Sequence, residues 1–122
     1  MSDAVVPVAA HGTIRALTIL RATLDAIEDP ERWCSYQVRD GCGHVVDDGG
    51  GPSVVSRSTA DWLSFHAGYR KTRPYLMAYN AVLTASVAAR SVGVRTLDYR
   101  WGREESVKVV RAAIAGLEKT KP

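Results

Sequence analysis

The sequence predicts a helix-dominated α+β domain in which about four helices pack with a short β-hairpin. Three observations predict this class. Apolar residues recur at three- and four-residue spacing in several segments, which is the period of an amphipathic helix. Two short β-prone runs flank a glycine-bearing turn. The chain has 122 residues, 46% of them apolar and 24% charged, and this is the size and composition of one globular domain.

The predicted organisation is an arm followed by one domain. Residues 1–12 contain Pro7 and Gly12 and lack helical periodicity. Since both residue types are unfavourable inside helices, we expect a flexible N-terminal arm there. The single globular α+β domain then covers residues 13–119.

The first predicted helix begins at Thr13, which suits the N-cap position, and continues to about Glu28. Asp29-Pro30 ends it, because the residue before a proline disfavours the α conformation. A short turn beginning at Pro30 then directs Trp33 toward the core. The apolar stripe of this helix consists of Ile14, Leu17, Leu20, Leu24 and Ile27.

The predicted hairpin lies in the glycine-rich part of the chain. Residues 35–39 and 44–46 are the two β-prone runs, and residues 40–43 form the turn between them. Such a pattern is typical of a two-stranded hairpin. Residues 47–53 are predicted to form a loop from their Asp, Gly and Pro content. Because an isolated hairpin is marginally stable, we expect it to pack against the helices.

The second helix is predicted to begin after Ser58, with Asp61 in partial imitation of a capping box. Trp62, Phe65 and Tyr69 then share one face. The segment 70–74, which contains a proline, ends this helix.

The third helix is predicted to contain Pro74 in its first turn and to run to about Ser91, with Gly93 as the C-cap glycine. Residues 94–99 are predicted to be a short extended piece. A last helix over residues 103–119 has its own apolar stripe, formed by Val107, Val110, Ile114 and Leu117.

Charge is unevenly distributed along the chain, whose net charge is +3. Residues 1–61 contain five Lys/Arg against nine Asp/Glu, a net charge of −4, and residues 62–122 contain eleven against four, a net charge of +7. Such asymmetry is found in proteins that present a basic surface to an acidic partner. It is equally compatible with two halves that complement each other in the folded chain.

The candidate partner-binding residues are cations interleaved with aromatic side chains in two stretches. They are Arg70, Lys71, Arg73 and Tyr75 before and within the third helix, and Arg100, Trp101 and Arg103 before the last one. Tyr, Trp and Arg dominate the energetics of protein interfaces. The same chemistry suits single-stranded nucleic acid, since arginines bind phosphate and aromatic rings stack on bases. A third interpretation is that the rings anchor loops while the arginines face water.

Cys34, Cys42 and His44 are the candidate metal ligands, with His11 or His66 as the fourth. Thiolates and imidazoles are the ligands that zinc prefers. The chain has no Cys-x-x-Cys pair, and cysteines are common in ordinary cores. The prediction is therefore that the protein holds no metal and no cofactor, with these three residues kept as the candidates for a metal site.

Three stretches resemble an uncharacterised domain family, of unknown function, found in actinobacterial genomes and their phages. The first is Ile27–Trp33 followed by Val38–Val46, the second is Thr59–Leu63 and the third is Asp98–Ile114. The family commonly has a cysteine next to its central tryptophan, where this chain has Leu63. The resemblance implies a small accessory protein of phage or bacterial origin, without an assigned activity.

The function expected from these features is a non-enzymatic accessory or regulatory protein that acts through a protein partner or self-association. The first alternative is nucleic-acid binding by the basic second half. The second is a small metal-binding protein or a structural component of an assembly. No stretch reaches the roughly 20 apolar residues of a membrane span and no secretory signal is evident, so we expect a cytoplasmic protein.

Overall fold

A computed structural model describes residues 8–35, 38–40, 42–44 and 54–120. The elements are α1 (Val8–Ile27), β1 (Arg39–Asp40), β2 (Val54–Ser56), α2 (Thr59–His66), α3 (Arg73–Arg90), α4 (Val94–Trp101) and α5 (Arg103–Glu118). The predicted helix-dominated α+β class is therefore confirmed, and the described residues form five helices rather than about four.

The core lies between α1, α3 and α5, to which α2 and α4 add one face each. The helix α5 runs antiparallel to α1, because Glu118 pairs with Arg21 and Arg111 pairs with Glu28. Each fully buried aliphatic side chain in this core stabilises the fold by roughly 1.5–3 kcal/mol. The largest of them are Leu17, Leu20, Ile27, Leu63, Leu97, Val82, Val94 and Val110. None of the described helices combines the length and the apolarity that a membrane span requires.

The first helix begins earlier than the sequence predicted. It starts at Val8, so residues 8–12 are helical instead of belonging to an arm, and Thr13 is buried within the helix rather than capping it. Residues 1–7 lie outside the described residues. A Cβ atom at Gly12 would lie 3.2 Å from Met77 Sδ. The absence of a Cβ atom at Gly12 therefore leaves room for the Met77 side chain of α3 beside α1.

The strand pairing that the structure shows was not predicted from the sequence. The strand β1 pairs antiparallel with β2, with Arg39 opposite Ser56. The predicted turn is present, since the Asp40 N–H donates to the His44 carbonyl at 2.9 Å and the Gly43 N–H to the Asp40 carbonyl at 3.0 Å. Residues 45, 46 and the predicted loop 47–53 lie outside the described residues.

The helices α2 and α3 begin where the sequence predicted. The Ser58 hydroxyl accepts from the Asp61 N–H at 3.3 Å and donates to the Asp61 carboxylate at 2.8 Å. At the start of α3, Thr72 is the N-cap and Pro74 lies in the first turn. These caps satisfy backbone N–H groups that have no partner within the helix.

The boundary between α3 and the following segment was predicted wrongly. The residue after α3 is Ser91, whose φ of 57° is left-handed and ends the helix. Gly93 has an extended backbone and precedes α4, so it is not the C-cap of α3. Residues 94–101 are helical rather than extended, because Val94, Leu97 and Asp98 follow the spacing of one helix face and are all buried.

Candidate functional site

The two predicted cation–aromatic stretches lie at opposite ends of α3. Tyr75 is in its first turn, whereas Trp101 packs on Arg90 at its last residue, with the guanidinium carbon 4.2 Å from the ring centroid. The helix has 18 residues, so its ends are roughly 25 Å apart at a rise of 1.5 Å per residue. The structure therefore does not bring the two sets of predicted residues together into one site.

The segment between α2 and α3 carries the first set on an exposed surface. Arg70, Lys71 and Arg73 are all exposed, and none forms an ion pair with a described residue. Tyr69 is 53% exposed and Tyr75 is half-buried. We call this the link surface; it consists of Ser64, Tyr69, Arg70, Lys71, Arg73 and Tyr75. All of these except Arg73 line a small cavity of about 90 Å³.

A helix-ending motif holds the link surface in shape. The Tyr69 N–H donates to the Ser64 carbonyl at 2.8 Å and the Gly68 N–H to the Phe65 carbonyl at 3.0 Å. With Gly68 at φ 68°, this is a Schellman motif, in which glycine adopts the left-handed conformation without a steric cost. Tyr69 is also left-handed, at φ 60°, a conformation that costs a residue with a Cβ atom roughly 1–2 kcal/mol.

A second, larger depression of about 340 Å³ adjoins the link surface. Its lining includes Arg15 from α1, together with His66, Thr72 and Pro74. Arg15 is exposed and also forms no ion pair with a described residue. Burial and the nearby guanidinium groups of Arg32 and Arg57 lower the pKa of His66. A lowered pKa favours the neutral form of the His66 imidazole. The positive charge at this end of the molecule therefore comes from arginine and lysine side chains.

The α4–α5 end uses the second set of predicted residues within the fold. Arg103 donates from one guanidinium nitrogen to the carbonyls of Ile27 at 3.3 Å and Glu28 at 3.1 Å. It thus satisfies carbonyl groups at the end of α1, which lack partners within that helix. Arg100 is exposed and has no ion pair among the described residues.

Trp101 takes part in a three-residue contact at the same end. Trp101 is 46% exposed, and its ring covers Arg90, whose Nε donates to Glu105 at 2.9 Å. The hydrogen bond from Arg90 lowers the pKa of Glu105, and the carboxylate raises the pKa of Arg90. The cation beneath the ring, Arg90, is therefore already paired with a carboxylate of the same chain. Since Arg90 lies on α3 and Glu105 on α5, this ion pair joins the two helices.

The sequence did not indicate the buried polar network centred on Asp98, which is 1% exposed. Its carboxylate accepts hydrogen bonds from the Thr59 N–H at 2.9 Å, the Thr59 hydroxyl at 2.6 Å and the Ser106 hydroxyl at 2.7 Å. Trp33 Nε1 donates to the Thr59 hydroxyl at 3.3 Å. The network therefore joins the start of α2 to α4 and α5.

Burial raises the pKa of Asp98, although the hydrogen bonds that it accepts oppose this shift. Burying a carboxylate costs desolvation free energy unless hydrogen-bond donors are held in place around it. The sequence feature that could have indicated this network is the spacing of Val94, Leu97 and Asp98, which puts Asp98 on the buried face of a helix.

The candidate metal ligands are not assembled into a site. Cys42 and His44 are exposed in the turn after β1, where the His44 imidazole lies 3.8 Å from Asp40. Cys34 is half-buried, and its N–H donates to the Arg57 carbonyl. Within residues 8–35, 38–40, 42–44 and 54–120, no group of three or more His, Cys, Asp or Glu is arranged to hold a metal ion.

His66, one of the two candidates for a fourth ligand, has a different environment. Its ring stacks on Trp62, with centroids 5.4 Å apart and an angle of 18° between the planes. The imidazole is therefore part of an aromatic cluster on α2. The side chain of His11, the other candidate, lies outside the described residues.

No family model, no curated protein and no solved structure matches this chain. The resemblance to the uncharacterised actinobacterial and phage family thus stays a prediction from three short stretches.

Proposed function

We propose that the protein is a non-enzymatic, cytoplasmic accessory protein, of phage or bacterial origin, that binds an acidic segment of a protein partner through the link surface. The observation that carries this proposal is the group of three neighbouring cations, Arg70, Lys71 and Arg73, which have no ion pair among the described residues. They lie beside the exposed ring of Tyr69.

Arginines elsewhere in the chain differ from the cations of the link surface, and this difference supports the link surface as the binding site. Arg21, Arg32, Arg90, Arg95 and Arg111 each lie within 4 Å of a carboxylate of the same chain. Cations at the link surface have no comparable neighbour in the described part of the chain, and α3 has no acidic residue in its first turn. Their mutual repulsion decreases when an anionic group approaches.

The strained conformation of Tyr69 gives further support. A non-glycine residue at φ 60° costs stability, and such conformations cluster at binding sites. Here the result is a tyrosine ring held outside the core, 6.1 Å from the ring of Phe65. Tyrosine and arginine are among the residue types that contribute most to the energetics of protein interfaces.

Single-stranded nucleic acid is the second candidate partner. Tyr69 and Tyr75 offer ring faces for bases, and the neighbouring cations would contact phosphates. The salt dependence of binding separates the two candidates, because a nucleic acid releases condensed counterions and its affinity falls steeply with salt.

The test measures fluorescence anisotropy with two labelled probes, a decapeptide rich in Glu with one Tyr and an oligo(dT) of similar length. The double variant Arg70→Glu/Lys71→Glu should weaken peptide binding about tenfold or more, because it replaces attraction with repulsion. Arg100→Glu is the matched control, since Arg100 is an exposed cation without an ion pair at the other end of α3. It should change peptide binding by less than about twofold.

Three results would count against the proposal. The wild-type chain could bind neither probe at low salt, or both variants could weaken peptide binding equally. Alternatively, the oligonucleotide could bind much more tightly than the peptide, with a steep dependence on salt. The last result would favour the nucleic-acid candidate.

A further inference from the structure

An open apolar groove runs between α3 and α5, and none of its lining residues belongs to the link surface. Its volume is about 570 Å³, and most of its lining residues are small or apolar. The lining consists of Met77, Asn80, Ala81, Thr84, Ala85 and Ala88 from α3, and Ala112, Ala113, Gly116 and Leu117 from α5. We call this the α3–α5 groove.

The dimensions of the groove match a helix. Along α3 it extends from Met77 to Ala88, which is roughly 17 Å or three helical turns. The small side chains of Ala85, Ala112 and Gly116 would let another backbone approach to the 8–10 Å that is usual between packed helices.

The apolar surface continues beyond the groove on the α3 side. Leu76 is 47% exposed and Val87 is 50% exposed. They lie one turn or less from Asn80 and Thr84, so they share their helix face. Exposed apolar residues next to an apolar groove mark an interaction surface rather than ordinary scatter.

Charge defines the kind of helix that fits. The helix α3 contains no acidic residue, and α5 has none between Ser106 and Leu117. Lys108 on α5 lies one turn before Ala112. Lys119, the C-cap residue just after α5, lies one turn after Gly116, so both lysines are on the groove side. Both are exposed, and neither forms a salt bridge with a described residue. Lys108 lies close enough to Glu105, one turn earlier and already paired with Arg90, to contribute to the lowered pKa of that carboxylate.

We propose that the α3–α5 groove binds an amphipathic helix of a partner protein, about three turns long, with acidic residues flanking its apolar face. The apolar face would enter the groove with anchors at i, i+3, i+4 and i+7, as in other complexes in which a groove holds a helix. The acidic flanks would meet Lys108 and Lys119. This inference goes beyond the function proposed above, because it concerns a different surface and does not require the link surface to bind anything.

The probe for this site is a labelled 14-residue peptide, acetylated and amidated, with Leu at i, i+3, i+4 and i+7 and Glu at the flanking positions. Two control peptides replace every Glu by Lys or insert a central Pro that breaks the helix. The Glu peptide should bind at least about tenfold more tightly than either control in fluorescence anisotropy.

The chain offers a matched pair of variants for the same measurement. Ala112 and Ala115 are both exposed on α5, but only Ala112 lines the groove. Ala112→Glu should weaken binding of the Glu peptide at least about tenfold, because it places a bulky like charge in the groove, whereas Ala115→Glu should change it by less than about twofold. Circular dichroism melting of both variants verifies that they are folded equally well.

A second pair, Ala88→Glu and Ala89→Glu on α3, repeats the comparison, since only Ala88 lines the groove. Arg70→Glu/Lys71→Glu should leave binding of the Glu helix within about twofold, so this experiment can fail independently of the link surface. Equal effects within each pair, or equal binding of the Lys peptide, would overturn the inference. Light scattering that gives a dimer for the wild type and a monomer for Ala112→Glu would also overturn it, because a second copy would then occupy the groove.

Discussion

Two stretches of this chain look alike in sequence, and the folded protein uses them in opposite ways. Residues 69–75 and residues 99–103 both alternate arginines with aromatic rings. At the α4–α5 end, Arg103 binds the last carbonyls of α1 and Trp101 covers a paired arginine. At the link surface, the cations have no such partner in the described part of the chain.

The difference shows that local composition does not decide whether a basic stretch is structural. What decides it is the supply of acceptors brought near by the rest of the fold. The end of α1 presents unsatisfied carbonyls to Arg103, and Glu105 lies within reach of Arg90. We therefore expect changes at the α4–α5 end to lower stability and changes at the link surface to lower binding.

The largest expected effect on stability is that of Asp98→Ala, which removes the acceptor at the centre of the buried network. Three donors on Thr59 and Ser106 would lose their partner, so the free energy of unfolding should fall by about 3 kcal/mol or more. Urea denaturation measures this directly. Asp25→Ala is the control, because the Asp25 side chain is 85% exposed, and it should change stability by less than about 0.5 kcal/mol.

Arg103→Ala should have the next largest effect. The variant leaves the carbonyls of Ile27 and Glu28 without the charged donor that reaches them, and hydrogen bonds to charged groups contribute about 1.5–3 kcal/mol. We expect a loss of about 2 kcal/mol in urea denaturation. Arg100→Ala, three residues earlier, should cost less than about 0.5 kcal/mol, and equal losses in the two variants would contradict the structural role of Arg103.

The pH dependence of Asp98→Asn tests the same network through a smaller effect. Burial raises the pKa of Asp98 in the folded chain above its ordinary value of 3.8. The folded wild type therefore takes up this proton before the unfolded chain does, and gains stability as the pH falls through the raised pKa. Asparagine cannot titrate, so the cost of Asp98→Asn should be larger near about pH 4 than near about pH 7. A cost that stays constant or decreases toward acid would show that the carboxylate is not shifted upward.

The smallest expected effect on stability is that of Arg70→Ala/Lys71→Ala. Both side chains are exposed and lack an ion pair with a described residue, so the free energy of unfolding should stay within about 0.5 kcal/mol of the wild type. Binding of the acidic decapeptide should nevertheless fall several-fold in the anisotropy measurement. A loss of more than about 1 kcal/mol in urea denaturation would mean that the link surface is structural, like the α4–α5 end.

Much of the helical framework could be predicted from the sequence, because its signals are local. The stripe of α5, the cap at Ser58 and the proline in the first turn of α3 depend on residues within one or two turns of each other. The errors at α4 and at Ser91 were also local, because the helical spacing of Val94, Leu97 and Asp98 lies within one short segment. Other features that were missed involve residues that are distant in sequence. Gly12, near the start of α1, lies close to Met77 of α3, and β1 pairs with a strand that follows a long intervening segment.

The candidate site was predictable only in part, for the same reason. The residue types at Arg70, Lys71 and Arg73 correctly indicated an exposed basic surface. Nothing near Arg103 in the sequence indicated that its partners would be carbonyls of α1, which lie about 75 residues away. The α3–α5 groove was not predicted because it requires two helices to lie side by side, and the alanines that line it are unremarkable within either helix alone.

The length of α3 determines how the effects of substitutions at its two ends combine. Sites separated by more than about 10 Å usually contribute additively to stability and binding, and these ends are roughly 25 Å apart. A peptide segment would need about eight extended residues to touch both ends at once. A shorter recognition motif must therefore contact one end alone. Because effects at distant sites add, a substitution at one end should not change the effect of a substitution at the other end.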